Sequence, residues 1–449
     1  MKDAGESLKR RLGFFPATNI VVANMIGAGI FTTSGLLLAD LHDPLLMIGL
    51  WLVGGIIALC GAISYGELGA SMPEAGGDYL FLSRLFHPSA GFLSGWLSFI
   101  VGFSAPIAAS AIGFSEYFLR VFPGMNEWFG FIPGSGPLIM QKTLAVLIIV
   151  VFTLIHYTGL ELGAKVQNFL TVLKVVLIAG LIIAGLAFGD GDSLNFRKAA
   201  SDGSFSGWKS IGLSLMWILF AYSGWNASTY IGSEIKNPRK NLPASLIAGT
   251  GIVILLYLLL NVVFVYAIPP DEMKGVISVG GLAMGKLFGG PAERVFSLLI
   301  SFALFSSLSA FIIIGPRVYY KMASDGLFFK GIARVHPKFK VPSYAIVLQG
   351  VIAVIFVISG TFEQILTYMG FSLGIFPLLT IAGLIKMRLK GRSAVKMPGF
   401  PVPQLVYLFA GSLILVLAFL ERPLESLLAI GTLLTGIPVY LIFRKKNKI

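Results

Sequence analysis

The chain has 449 residues, of which 56% are hydrophobic and 12% charged, and its formal net charge is +13. Soluble domains carry roughly 25% charged residues, so a water-soluble fold of this size is excluded for want of polar surface, and an integral membrane protein is implied. The single cysteine, Cys60, rules out an internal disulfide, and the four histidines show no metal-ligand spacing; no redox centre, metal or cofactor is expected.

A hydrocarbon core about 30 Å thick needs roughly 20 apolar residues per helix. That length predicts an all-α integral membrane protein with twelve transmembrane helices, at about 16–40, 45–71, 91–120, 140–159, 162–189, 208–233, 243–268, 291–322, 343–360, 364–386, 402–420 and 424–443. Residues 1–15 precede them as a basic segment with Lys2, Lys9, Arg10 and Arg11. The span that follows is too long for a secretory h-region and has no small-residue cleavage site, so no cleavable signal peptide is expected.

The first span is interrupted by NMIGAGIFTTSG, Asn24 to Gly35. Glycines weaken a helix interior by up to about 1 kcal/mol each, and unwound backbone survives in lipid only against a cavity or packed protein. In the second span Glu67 lies near the inner end, where a solvated helix end is expected and hydrogen bonding that closes the inner gate is the alternative; Glu234 is read the same way. In the third, Glu116 and Arg120 have the i, i+4 spacing of an interfacial ion pair. The fifth carries Lys174, about 12 residues or roughly 18 Å from its inner end, beyond the reach of a snorkelling side chain.

The sixth span holds a second interruption, Phe220-Ala221-Tyr222-Ser223-Gly224-Trp225-Asn226. Each interruption alone fits a close helix contact of the small-xxx-small kind. Spans one and six are corresponding members of two five-helix halves, and paired interruptions at matching places point to an inverted-repeat transporter with its site near the midplane. Free N–H groups at the start of one half-helix attract an anion, and free carbonyls at the end of the other attract a cation. A zwitterion such as an α-amino acid suits both seats.

Basic residues cluster in the Lys236/Arg239/Lys240 loop, Arg317 to Lys340, Lys386 to Lys396 and Arg444 to Lys448. With the N-terminus inside, these all face the cytoplasm, so both termini are expected there. This bias and attraction to anionic lipid account for the net charge, and nucleic acid binding is not expected.

NMIGAGIF together with FAYSGWNASTYIGSEIKNPRKNLP resembles the amino acid–polyamine–organocation superfamily, and within it the L-type amino acid transporter branch and its bacterial relatives. GPRVYYKMASDGLFFKGIARVHPKFKVP, Gly315 to Pro342, is similar to the same superfamily's eighth span and following loop, and SYGELGASMPEAGGDYLF, Ser64 to Phe81, to its second span and first intracellular loop. The resemblance implies the leucine-transporter-like fold: one inverted repeat at 16–190, the second at 205–390, two C-terminal helices at 400–443 and a cytoplasmic tail at 444–449.

It further implies an amino acid carrier working by alternating access. The substrate carboxylate would lie on the amides of Ala28, Gly29 and Ile30, and its ammonium on carbonyls near Ile26 and at Phe220, Ala221 and Ser223. Phe220 would be an aromatic gate, and Asn226 would line the site. Ala28 stands where many relatives carry Ser, and Ser309 where L-type members often have Asn. Lys174 falls where sodium-coupled relatives of the fold hold an ion, so its ammonium, with Ser306 and Ser307 as hydroxyl partners, is expected to stand in for sodium. A lysine satisfied structurally by backbone carbonyls is the plainer alternative, since a lysine at the bilayer centre costs about 2.5–3.5 kcal/mol and needs compensation.

The expected function is sodium-independent exchange of neutral L-amino acids; the alternative is proton-coupled uptake, or exchange of cationic amino acids or polyamines. An enzyme is not expected, because neither HExxH, GxSxG nor paired carboxylates occur in the spans. A channel would need a charged or selective pore lining, and only Lys174 is on offer. The external segment from Phe122 to Gln141 lacks the cysteine that tethers eukaryotic L-type carriers to a heavy subunit, so a stand-alone carrier is expected, in the plasma membrane of a prokaryote.

Overall fold

A computed structural model describes residues 10, 12–74, 76–129, 136–158, 160–197, 207–338 and 341–447, with the backbone alone at 160–168 and 446–447. The basic residues Lys2, Lys9, Arg11 and Lys448 lie outside the described residues, as does the 130–135 part of the external segment.

The described chain is helical. Its elements in order are α1 (Phe14–Met25), α2 (Ala28–Thr32), α3 (Ser34–Leu41), α4 (Pro44–Ser71), α5 (Gly77–Leu85), α6 (Pro88–Leu97), α7 (Ser104–Val121), α8 (Gly136–Tyr157) and α9 (Leu160–Phe188). There follow α10 (Trp208–Ala221), α11 (Pro238–Ala267), α12 (Pro270–Met273), α13 (Val279–Phe288), α14 (Gly290–Ser324), α15 (Ser343–Ser359), α16 (Phe362–Leu389), α17 (Val402–Glu421) and α18 (Pro423–Asn447). Among the described residues, 10 helical segments are long and apolar enough to cross a membrane, while α10 and α15 are apolar but shorter. α15 matches the expected ninth span, whereas α10 covers only the first part of the expected sixth span, 208–233.

Local signals set the helix ends. Proline at the first helical position costs no hydrogen bond and fixes φ, as at Pro44, Pro88 and Pro238. The Asp43 carboxylate accepts from the Leu46 amide to cap α4, and Thr361 with Gln364 forms a capping box at α16. The first span breaks at Ile26 and Gly27, both extended. Beyond α10 the chain turns through 222–226 and resumes as a 3-10 segment, Ala227–Glu234, so the second interruption is followed by a tighter turn than the α half-helix expected. The third span also departs from regularity, with a π turn at Ser98–Gly102 between α6 and α7.

Packing follows side-chain size. Gly66 on α4 faces Pro243 on α11, where a Cβ would lie 3.1 Å from the proline Cα, and such small residues let membrane helices approach closely. On α9 the apolar residues Phe169, Val172, Val176 and Ile183 are exposed, as a lipid-facing stripe should be, whereas Lys174 is 1% exposed.

Candidate functional site

The two interruptions touch. A Cβ on Gly29 would lie 2.5 Å from Ala221 Cα, and one on Gly224 would lie 2.8 Å from the Asn24 carbonyl carbon. Gly224 has a φ of 97°, a region that only glycine enters freely. Glycine is therefore required on both sides: at Gly29 by close approach of backbone, and at Gly224 by both approach and conformation. Tyr257 on α11 ties the pair together, its hydroxyl lying 2.7 Å from the Met25 carbonyl and 3.1 Å from that of Ala221.

Lys174 reaches into the first break. Its Nζ donates to the Ala23 carbonyl at 3.1 Å, to the Ile26 carbonyl and to Ser307 Oγ at 3.3 Å. Ser307 in turn donates to the Ile26 carbonyl at 3.2 Å. An ammonium has three N–H donors and no acceptor, and these three partners engage all of them. The unwound turn thus supplies oxygen partners to a tethered amino group.

A cavity of about 140 Å³ lies beside the second break, with Asn24, Phe220, Ser223, Asn226, Tyr230 and Asp78 in its wall. The serine and glycine of the π turn, Ser98 and Gly102, also line it, in keeping with the frequent occurrence of π turns at functional sites. Trp225 lines the cavity and packs edge-on against Tyr65. Of the expected site residues, Phe220, Ser223 and Asn226 therefore face one space.

Ala28, Gly29 and Ile30 are buried at the start of α2, outside that wall. The Ile26 carbonyl accepts from both Lys174 and Ser307. A carbonyl oxygen has two lone pairs, so in this conformation Ile26 is withdrawn from the substrate seat expected for it. Ala221 keeps one lone pair beside Tyr257.

Several expected pairings are corrected. Ser307 is the hydroxyl on Lys174, whereas Ser306 lies 3.4 Å from Thr171 Oγ1: the two serines are adjacent, and the helix turn aims them differently. Glu116 and Arg120 do not pair with each other; Glu116 accepts from Gln141 at 2.7 Å, while Arg120 binds Glu293 at 2.7 Å and Ser278 at 2.9 Å. Packing against other helices offers these side chains better partners than i, i+4 spacing does. Glu67 is not a solvated helix end. It is fully buried, bonded to Arg388 at 2.6 Å, to Ser393 at 2.8 Å and to the Met397 amide at 2.9 Å, and so clamps the segment after α16.

One residue in the cavity was not singled out by sequence reasoning. Asp78, on the short helix α5 between the second and third spans, accepts from the Tyr65 hydroxyl and from Thr380 Oγ1 at 2.9 Å. Burial raises its carboxyl above the usual carboxylate range, and those two hydrogen bonds offset only part of that rise.

Further polar links join the second half of the first span to its neighbours. The Tyr117 hydroxyl donates to the Phe31 carbonyl at 2.6 Å and accepts from the Gly280 amide at 3.0 Å. The Gly275 amide donates to the Gly35 carbonyl at 2.8 Å, and Ser34 to Asn261 at 2.7 Å.

Comparison with known proteins adds three findings. Residues 12–434 match the family of amino acid permeases. The chain is similar to the b(0,+)-type amino acid transporter 1 of Mus musculus, 30% identical over 443 residues that cover 97% of this chain and 88% of the relative. It is also similar to the Homo sapiens large neutral amino acids transporter small subunit 2, 27% identical over 449 residues that cover 98% and 81%.

Proposed function

The chain belongs to the amino acid permease family, and on that premise we propose that it exchanges neutral L-amino acids across a plasma membrane by alternating access, without sodium. The observation that carries this reading is the ammonium of Lys174 seated on the carbonyls of the first break. A mobile cation bound there would couple transport to its own gradient; a tethered one does the bracing and removes the requirement.

In this proposal the substrate carboxylate docks on the amides of Ala28, Gly29 and Ile30 when the two breaks part. Its ammonium takes the remaining carbonyl lone pairs of Phe220, Ala221 and Ser223, with Phe220 as the lid and Asn226 as a polar wall. The cavity near α5 and the links at Tyr117 support an inward-facing state, closed at the outer end. Twelve spans in two inverted five-helix repeats, both termini in the cytoplasm, no catalytic activity and a stand-alone prokaryotic carrier complete the reading.

The test is counterflow in proteoliposomes loaded with leucine, with a panel of external amino acids and no sodium or pH gradient. Exchange of neutral L-amino acids supports the proposal. Transport that needs either gradient, or that accepts polyamines alone, overturns it.

A further inference from the structure

Where α1 and α11 begin and α4 ends, a second cavity of about 400 Å³ is lined by Arg10, Pro73, Asn237, Pro238, Arg239 and Lys240. Its three cations are exposed, and no acid lines it. Arg10, Arg239 and Lys240 form no ion pair among the described residues, and Glu74, the acid next to Pro73, is engaged by Arg84. Backbone bonds hold the cations in place. The Leu12 amide donates to the Glu234 carbonyl at 3.0 Å, and the Leu12 carbonyl accepts from the Lys236 amide at 2.7 Å, so the N-terminal segment is laced to the loop before α11. Asn237 has a φ of 46°, a left-handed turn that asparagine tolerates, and its carbonyl accepts from the amides of Lys240 and Asn241 at 3.0 Å. Three like charges held around one cavity repel each other, and an anion relieves that repulsion.

The position of the cavity selects the anion. α1, α4 and α11 all belong to segments long and apolar enough to cross a membrane, so the cavity lies where their ends meet lipid headgroups. Phe14 and Phe15, which open α1, are 44% and 78% exposed, and such apolar surface suits lipid better than water. We propose that this cavity binds the phosphate of an anionic phospholipid, drawn from the cytoplasmic leaflet on the topology given above. The guanidinium groups of Arg10 and Arg239 fork the phosphate oxygens, and Lys240 adds a point charge. The bound headgroup clasps the N-terminal segment to the start of α11, next to the stretch that leads out of the second break.

Native mass spectrometry of the detergent-purified full chain, titrated with phosphatidylglycerol or phosphatidylcholine, reads a Kd for each lipid. The wild type should bind phosphatidylglycerol at least about 10-fold more tightly than phosphatidylcholine. A triple variant, Arg10→Gln, Arg239→Gln and Lys240→Gln, should lose at least about 10-fold in phosphatidylglycerol affinity. A matched triple, Lys390→Gln, Arg392→Gln and Lys396→Gln, removes three exposed cations after α16 and should stay within about 2-fold of wild type. Equal losses in the two triples would reduce the effect to general charge attraction and overturn the proposal, as would a wild type without preference. Glycerol 3-phosphate has the phosphate without the chains and should fail to displace phosphatidylglycerol even in about 100-fold excess; displacement would assign a soluble phosphate ester instead and overturn the lipid. Should the first triple fail to fold by size-exclusion chromatography, Arg10→Gln and Arg239→Gln are read singly. Each should weaken phosphatidylglycerol binding about 5-fold, and unchanged affinity in both overturns the proposal.

Discussion

Replacing Lys174 by methionine keeps the length of the side chain and removes its charge. Two effects on stability oppose each other. The Ala23 carbonyl loses its lysine partner, which costs about 1–3 kcal/mol for a buried acceptor. Burial of an ammonium at the bilayer centre, worth about 2.5–3.5 kcal/mol, is relieved. Ile26 stays paired through Ser307, 3.2 Å away. Thermal stability in detergent should therefore change little. Transport should respond differently, because the link between α9 and the first break is a charged hydrogen bond worth about 1.5–3 kcal/mol, or about 10- to 150-fold in rate. The assay is initial exchange rate in proteoliposomes beside a melting curve of the same sample. Transport by Lys174→Met within about 2-fold of wild type would refute the reasoning.

Three further variants probe the surrounding structure. Gly29→Ala places a methyl 2.5 Å from Ala221 Cα; the overpacking should cost about 1–3 kcal/mol, seen as a lower melting temperature with loss of uptake. Tyr117→Phe removes the hydroxyl that bridges Phe31 and Gly280; losing about 1–3 kcal/mol from the closed outer end should speed thiol labelling of a Ser34→Cys reporter in a Cys60→Ser background. Glu67→Ala strands Arg388 and the Met397 amide; breaking a buried pair costs about 3–5 kcal/mol, so the melting temperature should drop and the segment after α16 should become sensitive to protease.

Both interruptions were legible in the sequence because glycine, asparagine and serine stand out in an apolar run, and Lys174 because a charge does. Their mutual contact was not, since nothing local in NMIGAGIF or FAYSGWN says that Gly29 will meet Ala221. The phase of a helix across a break is equally hidden: Ser306 and Ser307 look interchangeable, and only the packing of α9 on α14 selects Ser307. Glu116 and Arg120 satisfy a local rule that tertiary partners override. Asp78 escaped notice because it lies in a polar connection, where an acid is ordinary. Its burial comes from Tyr65 and Thr380, the latter separated from it by 302 residues in sequence. Glu67 was misread for the same reason, its partners lying in the last turn of α16 and in the segment after it.

The central claim is that a tethered ammonium replaces a coupling ion. Leucine exchange by the wild-type protein in proteoliposomes, with sodium on both sides and then replaced by choline on both sides, tests it most directly. Equal rates in the two conditions are predicted; a rate that collapses in choline and returns with sodium would contradict the account.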